Sequence, residues 1–155
     1  MRSRMISTAC AALVLATLIA PSARADSATD VNTIGGIALH GFDPVAYFTQ
    51  NKAVLGSPHF TAMYHGVTYE FASKEDQAAF QANPGKYVPQ YGGFCAFATS
   101  KGVKADADPH EFAISNGKLY VNNNEEAQKL FQEDVEGTIE KADHNWPGVA
   151  KLPMH

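Results

Sequence analysis

Tyr64-His65-Gly66-Val67-Thr68-Tyr69-Glu70-Phe71-Ala72-Ser73 decides how the chain reads. Aromatic and β-branched residues run up to Tyr64 from Phe60 and resume from Val67 to Phe71, and His65-Gly66 between them suits a tight turn, so the stretch predicts a β-hairpin. Ser73 then caps a helix through Phe80, with Asp76 three positions on as the acidic half of a capping box. Asn83-Pro84-Gly85 stops that helix. Upstream, Ile37 to Leu39 suits a short strand, and Asp43-Pro44 starts a short helix in which Asp43 is the cap and Pro44 fills the position that tolerates a missing N–H.

Downstream, Phe112 to Ser115 and Leu119 to Val121 flank Asn116-Gly117, the favoured dipeptide of a type I′ turn, and predict a second hairpin. Apolar residues then recur at Ala127, Leu130, Phe131, Val135, Thr138, Ile139 and Ala142, one stripe of a helix of about 18 residues. Asn145-Trp146-Pro147 is expected to end the ordered chain. No internal repeat and no interdomain linker is evident. The expectation is an α+β domain, a small antiparallel sheet of two hairpins covered by helices, including a long C-terminal helix.

The N-terminus reads as an export signal. Arg2 and Arg4 precede an uncharged run from Met5 to Ala20, and Ala23-Arg24-Ala25 supplies the small-x-small exit, so residues 1–25 are expected to be cleaved. Residues 26–33 then form a disordered leader, 34–147 the domain and 148–155 a tail. The product is expected in the periplasm or secreted, and not membrane-embedded after cleavage. All three arginines leave with the signal, so the remainder carries nine lysines against sixteen carboxylates, a formal charge of −7. Without clustered positive charge or an arginine fork, nucleic acid is excluded as a partner.

The motifs Asp43-Pro44-Val45, Tyr64-His65-Gly66, Tyr69-Glu70-Phe71-Ala72-Ser73, Phe80 and Asn83-Pro84-Gly85-Lys86-Tyr87 resemble the YHS domain family in order and interval. Tyr91-Gly92-Gly93-Phe94-Cys95-Ala96 and Gly117-Lys118-Leu119-Tyr120 extend the likeness to its exported single-domain bacterial type. The resemblance implies an ancestral thiolate site, since the short modules of metal transporters carry cysteines where this chain has Ala46, Ala72 and Asp76.

One cysteine, Cys95, outlasts processing. It is unable to form an intramolecular disulfide and so is buried, metal-bound, reactive or paired with another molecule. If a helix starts beside it, the dipole favours a thiolate. The leading expectation is a non-enzymatic periplasmic protein that handles copper or zinc, with Cys95, His40, His65 and His110 as metal ligands. The alternative is a module that binds a small molecule or a protein partner, with Cys95 structural. A thiol enzyme ranks third, because no base or oxyanion-donor signature accompanies Cys95.

Overall fold

The computed structural model describes residues 30–154, so the expected export signal lies outside the described residues. Among the described residues six strands and six α-helices follow in the order β1 Thr33–Ile34, β2 Ile37–Ala38, α1 Ala46–Thr49, β3 Ser57–Tyr64, β4 Val67–Phe71, α2 Lys74–Ala82, α3 Pro84–Tyr87, α4 Ala96–Ser100, β5 Asp108–Ser115, β6 Lys118–Asn122, α5 Glu125–Glu133 and α6 Val135–Val149. The fold is α+β, with both hairpins and the long C-terminal helix in place. The hairpins lie in separate sheets: β1-β2-β4-β3 is mixed, because β2 runs parallel to β4, and β5-β6 stands as a pair.

The two sheets follow one plan, and here the structure overturns the expectation of no repeat. Residues 37–83 and 89–134 form the same module twice. Each opens on three successive left-handed residues, Leu39-His40-Gly41 in one and Tyr91-Gly92-Gly93 in the other. Phe42 N–H donates back to Leu39 O at 2.9 Å, and Phe94 N–H to Tyr91 O at 3.0 Å. Each hairpin has a register shift at the same place, between Ser57 and Thr61 and between Asp108 and Phe112. Each is followed by a capped helix, Ser73 Oγ accepting from Asp76 N–H and Asn124 Oδ1 from Ala127 N–H. From those helices Gln77 Nε2 donates to Thr61 O and Gln128 Nε2 to Phe112 O, both at 2.6 Å. Tyr69 stacks on Phe80 as Tyr120 does on Phe131, at interplanar angles of 34° and 36°.

Three apolar clusters hold the whole together. Val45, Val67, Phe71 and Phe80 fill the first module. Tyr91, Tyr120, Phe131 and Ala142 fill the second and bind α6. Leu39 and Tyr47 of the first meet Leu119 and Val121 of the second. Tyr47 Oη donates across this seam to Pro109 O at 2.9 Å.

The expected single C-terminal helix is two. Asp134 takes an extended conformation (φ −148°) between α5 and α6, and its carboxylate accepts from Gly137 N–H. A Cβ at Gly137 would collide with that carboxylate, so the glycine serves the cap. The ordered chain also runs past Asn145-Trp146-Pro147. Trp146 packs on Tyr91 and Phe94 with centroids 5.8 and 6.1 Å apart, and Lys104 Nζ donates to Ala150 O and Leu152 O beyond the helix end. At the other end Asn32, within the expected disordered leader, is buried and donates from its backbone to Gly92 O at 2.8 Å.

Asp43 is the fully buried anchor of the first module. Its Oδ1 accepts from Val45 and Ala46 N–H at the start of α1, and its Oδ2 from Ala72 N–H at 2.8 Å, just past β4. Burial, with a smaller contribution from the Asp76 charge, pushes its carboxyl from 3.8 up to about 6. A carboxyl raised on folding binds more protons folded than unfolded between those values, so its contribution is present at low pH and lost as pH rises through 6. The expected outcome is a stability about 2 kcal/mol lower at pH 7 than at pH 4 from this group. A carbon-detected NMR titration of Asp43 should show its midpoint near 6. A midpoint in the ordinary aspartate range would refute the assignment.

Candidate functional site

Cys95 occupies in the second module the place that Asp43 holds in the first. Gly41-Phe42-Asp43 and Gly93-Phe94-Cys95 are matching segments, and Asp43 N–H donates to Val54 O as Cys95 N–H does to Ala105 O. Cys95 Sγ accepts from Ala98 N–H at 3.3 Å and from Asn123 N–H at 3.2 Å, the counterparts of Ala46 and Ala72. A carboxylate has two oxygens and a thiol one sulfur, so a third donor needs another acceptor. Asn122, which replaces the core residue Phe71, supplies it: its Oδ1 accepts from Phe97 N–H at 3.0 Å. The other end of that amide donates to Gln128 Oε1 at 2.7 Å.

The expected thiolate is therefore not favoured. Cys95 is 1% exposed, and burial pushes its pKa up in spite of the N–H groups of Ala98, Asn123 and Phe97 around it. Ala46 and Ala72, two of the positions at which the family resemblance implies cysteine, donate to Asp43, and the third, Asp76, lies beside it. What fills the centre of that arrangement is a capping carboxylate in one module and a capping sulfur in the other.

The four expected metal ligands do not meet. Among the described residues no group of three or more His, Cys, Asp or Glu side chains converges as a metal site. His65 sits exposed at the turn of the first hairpin, with φ +50° and its ring against Tyr64. Cys95 faces backbone N–H groups and the Asn122 amide. Only His40 and His110 come together, on the wall of a cleft of about 480 Å³ that also exposes Phe42, Asp106, Asp108 and Asn123. Cys95 lies behind this wall, joined to it through Asn123 N–H.

The left-handed turn before Asp43 presents His40, and the start of β5 presents Asp108 and His110. His40 Nε2 lies 2.9 Å from Asp106 Oδ1, and His110 Nδ1 lies 2.9 Å from Asp108 Oδ1. Asp106 Oδ1 also accepts from Asn32 Nδ2 at 2.6 Å and from Ala107 N–H at 2.7 Å. Burial works to raise its pKa, but these donors and the neighbouring His40 outweigh it and hold the carboxyl below its ordinary value. The Asp108 carboxyl is lowered as well, first by the His110 N–H, with His40 contributing from across the cleft. Phe42 meets the His110 ring edge-on at 5.0 Å.

The repeat supplies an internal comparison for this cleft. The counterparts of Asp106, Asp108 and Asn123 in the first module are Leu55, Ser57 and Ala72, and the counterpart of His40 in the second is Gly92. His110 matches His59, but the rest of the polar set is present at one copy of positions that the module fills elsewhere with apolar or small residues. Asp106, Asp108 and Asn123 escaped the sequence reading, because only recognition of the repeat would have set them against Leu55, Ser57 and Ala72.

No family model, no curated protein and no solved structure matches the chain. Among the described residues no helix is long and apolar enough to cross a membrane.

Replacing Cys95 by Ala orphans two N–H groups and is expected to cost about 1–3 kcal/mol for each, with Ser, which keeps an acceptor, costing less. In the folded protein the thiol should resist iodoacetamide and react only on unfolding. Rapid alkylation without unfolding, or an Ala variant as stable as the parent, would contradict the capping role.

Proposed function

We propose that the chain is an exported, YHS-like, non-enzymatic binding module that works in the periplasm or outside the cell. Its ligand seat is the cleft lined by His40, Phe42, Asp106, Asp108, His110 and Asn123, and Cys95 serves the scaffold behind it. The observation that carries this reading is the asymmetry of the repeat. Caps, turns, hairpin register and aromatic stacking recur in both modules, whereas His40, Asp106 and Asp108 of the cleft stand where the other copy has the uncharged Gly92, Leu55 and Ser57; of the cleft's His and Asp groups only His110 is matched, by His59.

Chemistry and size agree with a binding role. The cleft, about 480 Å³ and open to solvent, has room for a small molecule. One aromatic edge and several hydrogen-bonding side chains give the mixed wall that orients a small polar ligand. The ordering of the imidazoles by carboxylates needs no substrate to complete it. No thiol or hydroxyl side chain lines the cleft, and the Cys95 thiol is committed to backbone N–H groups in the scaffold.

The test is a fragment panel of small carboxylic acids, amines and polyols added to metal-free protein and followed in proton–nitrogen NMR spectra. The expected outcome is a set of shifts centred on His40, Phe42, residues 106–110 and Asn123. Shifts centred instead on the groove between Val31 and Met154, or no binding by any fragment, would overturn the reading.

A further inference from the structure

We infer that the cleft selects a small organic cation, a primary ammonium or guanidinium compound, which donates hydrogen bonds to Asp106 Oδ2 and Asp108 Oδ2 and lays its carbon chain near Phe42. The inference rests on the cleft being the ligand seat and names what that seat takes.

The side-chain donors of this wall are nearly all spent, and its acceptors are not. A carboxylate only accepts, so the imidazole nitrogen 2.9 Å from each aspartate carries the hydrogen, Nε2 in His40 and Nδ1 in His110. In each neutral ring the other nitrogen keeps a lone pair. Every bond that the two carboxylates accept goes to Oδ1, from Asn32, His40 and Ala107 in Asp106 and from the backbone and ring of His110 in Asp108. Among the described residues neither Oδ2 has a partner. No buried side-chain polar atom lacks one, so Asp106 Oδ2 is open to solvent, and Asp108 is an exposed residue. No lysine or arginine lines the cleft. Asn123 donates to Asp106 O and accepts from Asn124, which leaves one amide hydrogen as the only side-chain donor among the described residues of the neutral wall.

Such a wall sorts ligands by the sense of their hydrogen bonds. An ammonium or guanidinium group only donates, and it pairs with carboxylates in charge-assisted bonds. An anion would set acceptor against acceptor and like charge against like charge. Both carboxyls are held below their ordinary value and so are charged at neutral pH. Among the described residues no three His, Cys, Asp or Glu side chains gather to hold a metal ion. Acceptors spaced in this way suit a molecule whose donors and carbon atoms spread across the wall.

The repeat points the same way independently. Where the cleft has Asp106 and Asp108 the first module has Leu55 and Ser57. Ser57 Oγ accepts the His59 N–H at 3.3 Å, as Asp108 Oδ1 accepts the His110 N–H at 2.9 Å. A neutral hydroxyl thus serves that turn, and an apolar side chain serves at the other position. The two negative charges are therefore not what the module needs in order to fold. Asp106 is itself held by Asn32 and Ala107, so its free oxygen is set in place before a ligand arrives.

The test is titration of the purified chain with butylamine and butylguanidine, followed in proton–nitrogen NMR spectra, beside butyrate and tetramethylammonium. Both N–H cations are expected to shift His40, Phe42, residues 106–110 and Asn123. Butyrate, of the same chain length and opposite charge, should leave those signals in place, and tetramethylammonium, a cation without N–H groups, should bind about tenfold more weakly than butylamine. Asp108→Ser, which keeps an acceptor for the His110 N–H, and Asp106→Asn, which keeps Oδ1, should each weaken butylamine binding about tenfold. Glu140→Gln, which removes a carboxylate beside a different surface hollow, should leave it unchanged. Binding indifferent to Asp106→Asn and Asp108→Ser, or tetramethylammonium bound as well as butylamine, would overturn the inference. Butyrate or a polyol that shifts His40 and Asn123 where no amine does would leave the cleft as ligand seat and sink the cation alone. If no compound of any class shifts these residues, both fall.

Discussion

Everything in this fold is organised around one buried acceptor per module, set where the chain turns from a left-handed bend into a short helix. That turn leaves N–H groups without helical partners, and the strand ending beside it leaves one more. A single side chain must accept from both, or buried donors go unpaired at a cost of about 1–3 kcal/mol each. Asp43 does this with two oxygens, and Cys95 does it with one sulfur helped by Asn122. Among the described residues no buried side-chain polar atom is left without a partner.

The same constraint explains where chemistry is absent and where it is concentrated. A thiol committed to two N–H donors and shut away from solvent lacks the access that nucleophiles and metal ligands need. In the first module a carboxylate does the corresponding work with no reactive group at all, so the task is one of folding. The surface just outside is under no such obligation. There the first module carries Leu55, Ser57 and Ala72 and remains well packed, while the second carries Asp106, Asp108 and Asn123. Duplicated scaffolds separate what folding demands from what it merely permits, and the cleft belongs to the second kind.

Much of the local structure was legible along the chain because it follows from short-range chemistry. His65-Gly66 and Asn116-Gly117 mark turns that need left-handed residues, Ser73 supplies a cap, and the apolar stripe from Ala127 to Ala142 has helical spacing. The repeat was hidden because equivalent residues often differ in polarity, as Phe71 and Asn122 or Val67 and Lys118 do, while the identical ones, such as Gln77 and Gln128, are scattered between them. The break at Asp134 was hidden for a related reason. The apolar stripe keeps its phase across a cap that only the side-chain oxygen reveals. Trp146 and Pro147 read as a terminus until Tyr91 and Phe94 are seen to hold them.

By itself the sequence determined the elements, their order, the α+β class and the short list of His and Cys residues worth weighing, since turn residues, caps and periodicity act within a few positions of the chain. The tertiary structure alone decided which of those residues meet. It turned Cys95 inward as an acceptor, left His65 on a hairpin tip, and brought His40 and His110, each with an aspartate partner, to the lining of one cleft. Burial and partnership between residues some seventy positions apart, such as His40 and Asp106, arise only when the two modules pack, and no local pattern encodes them.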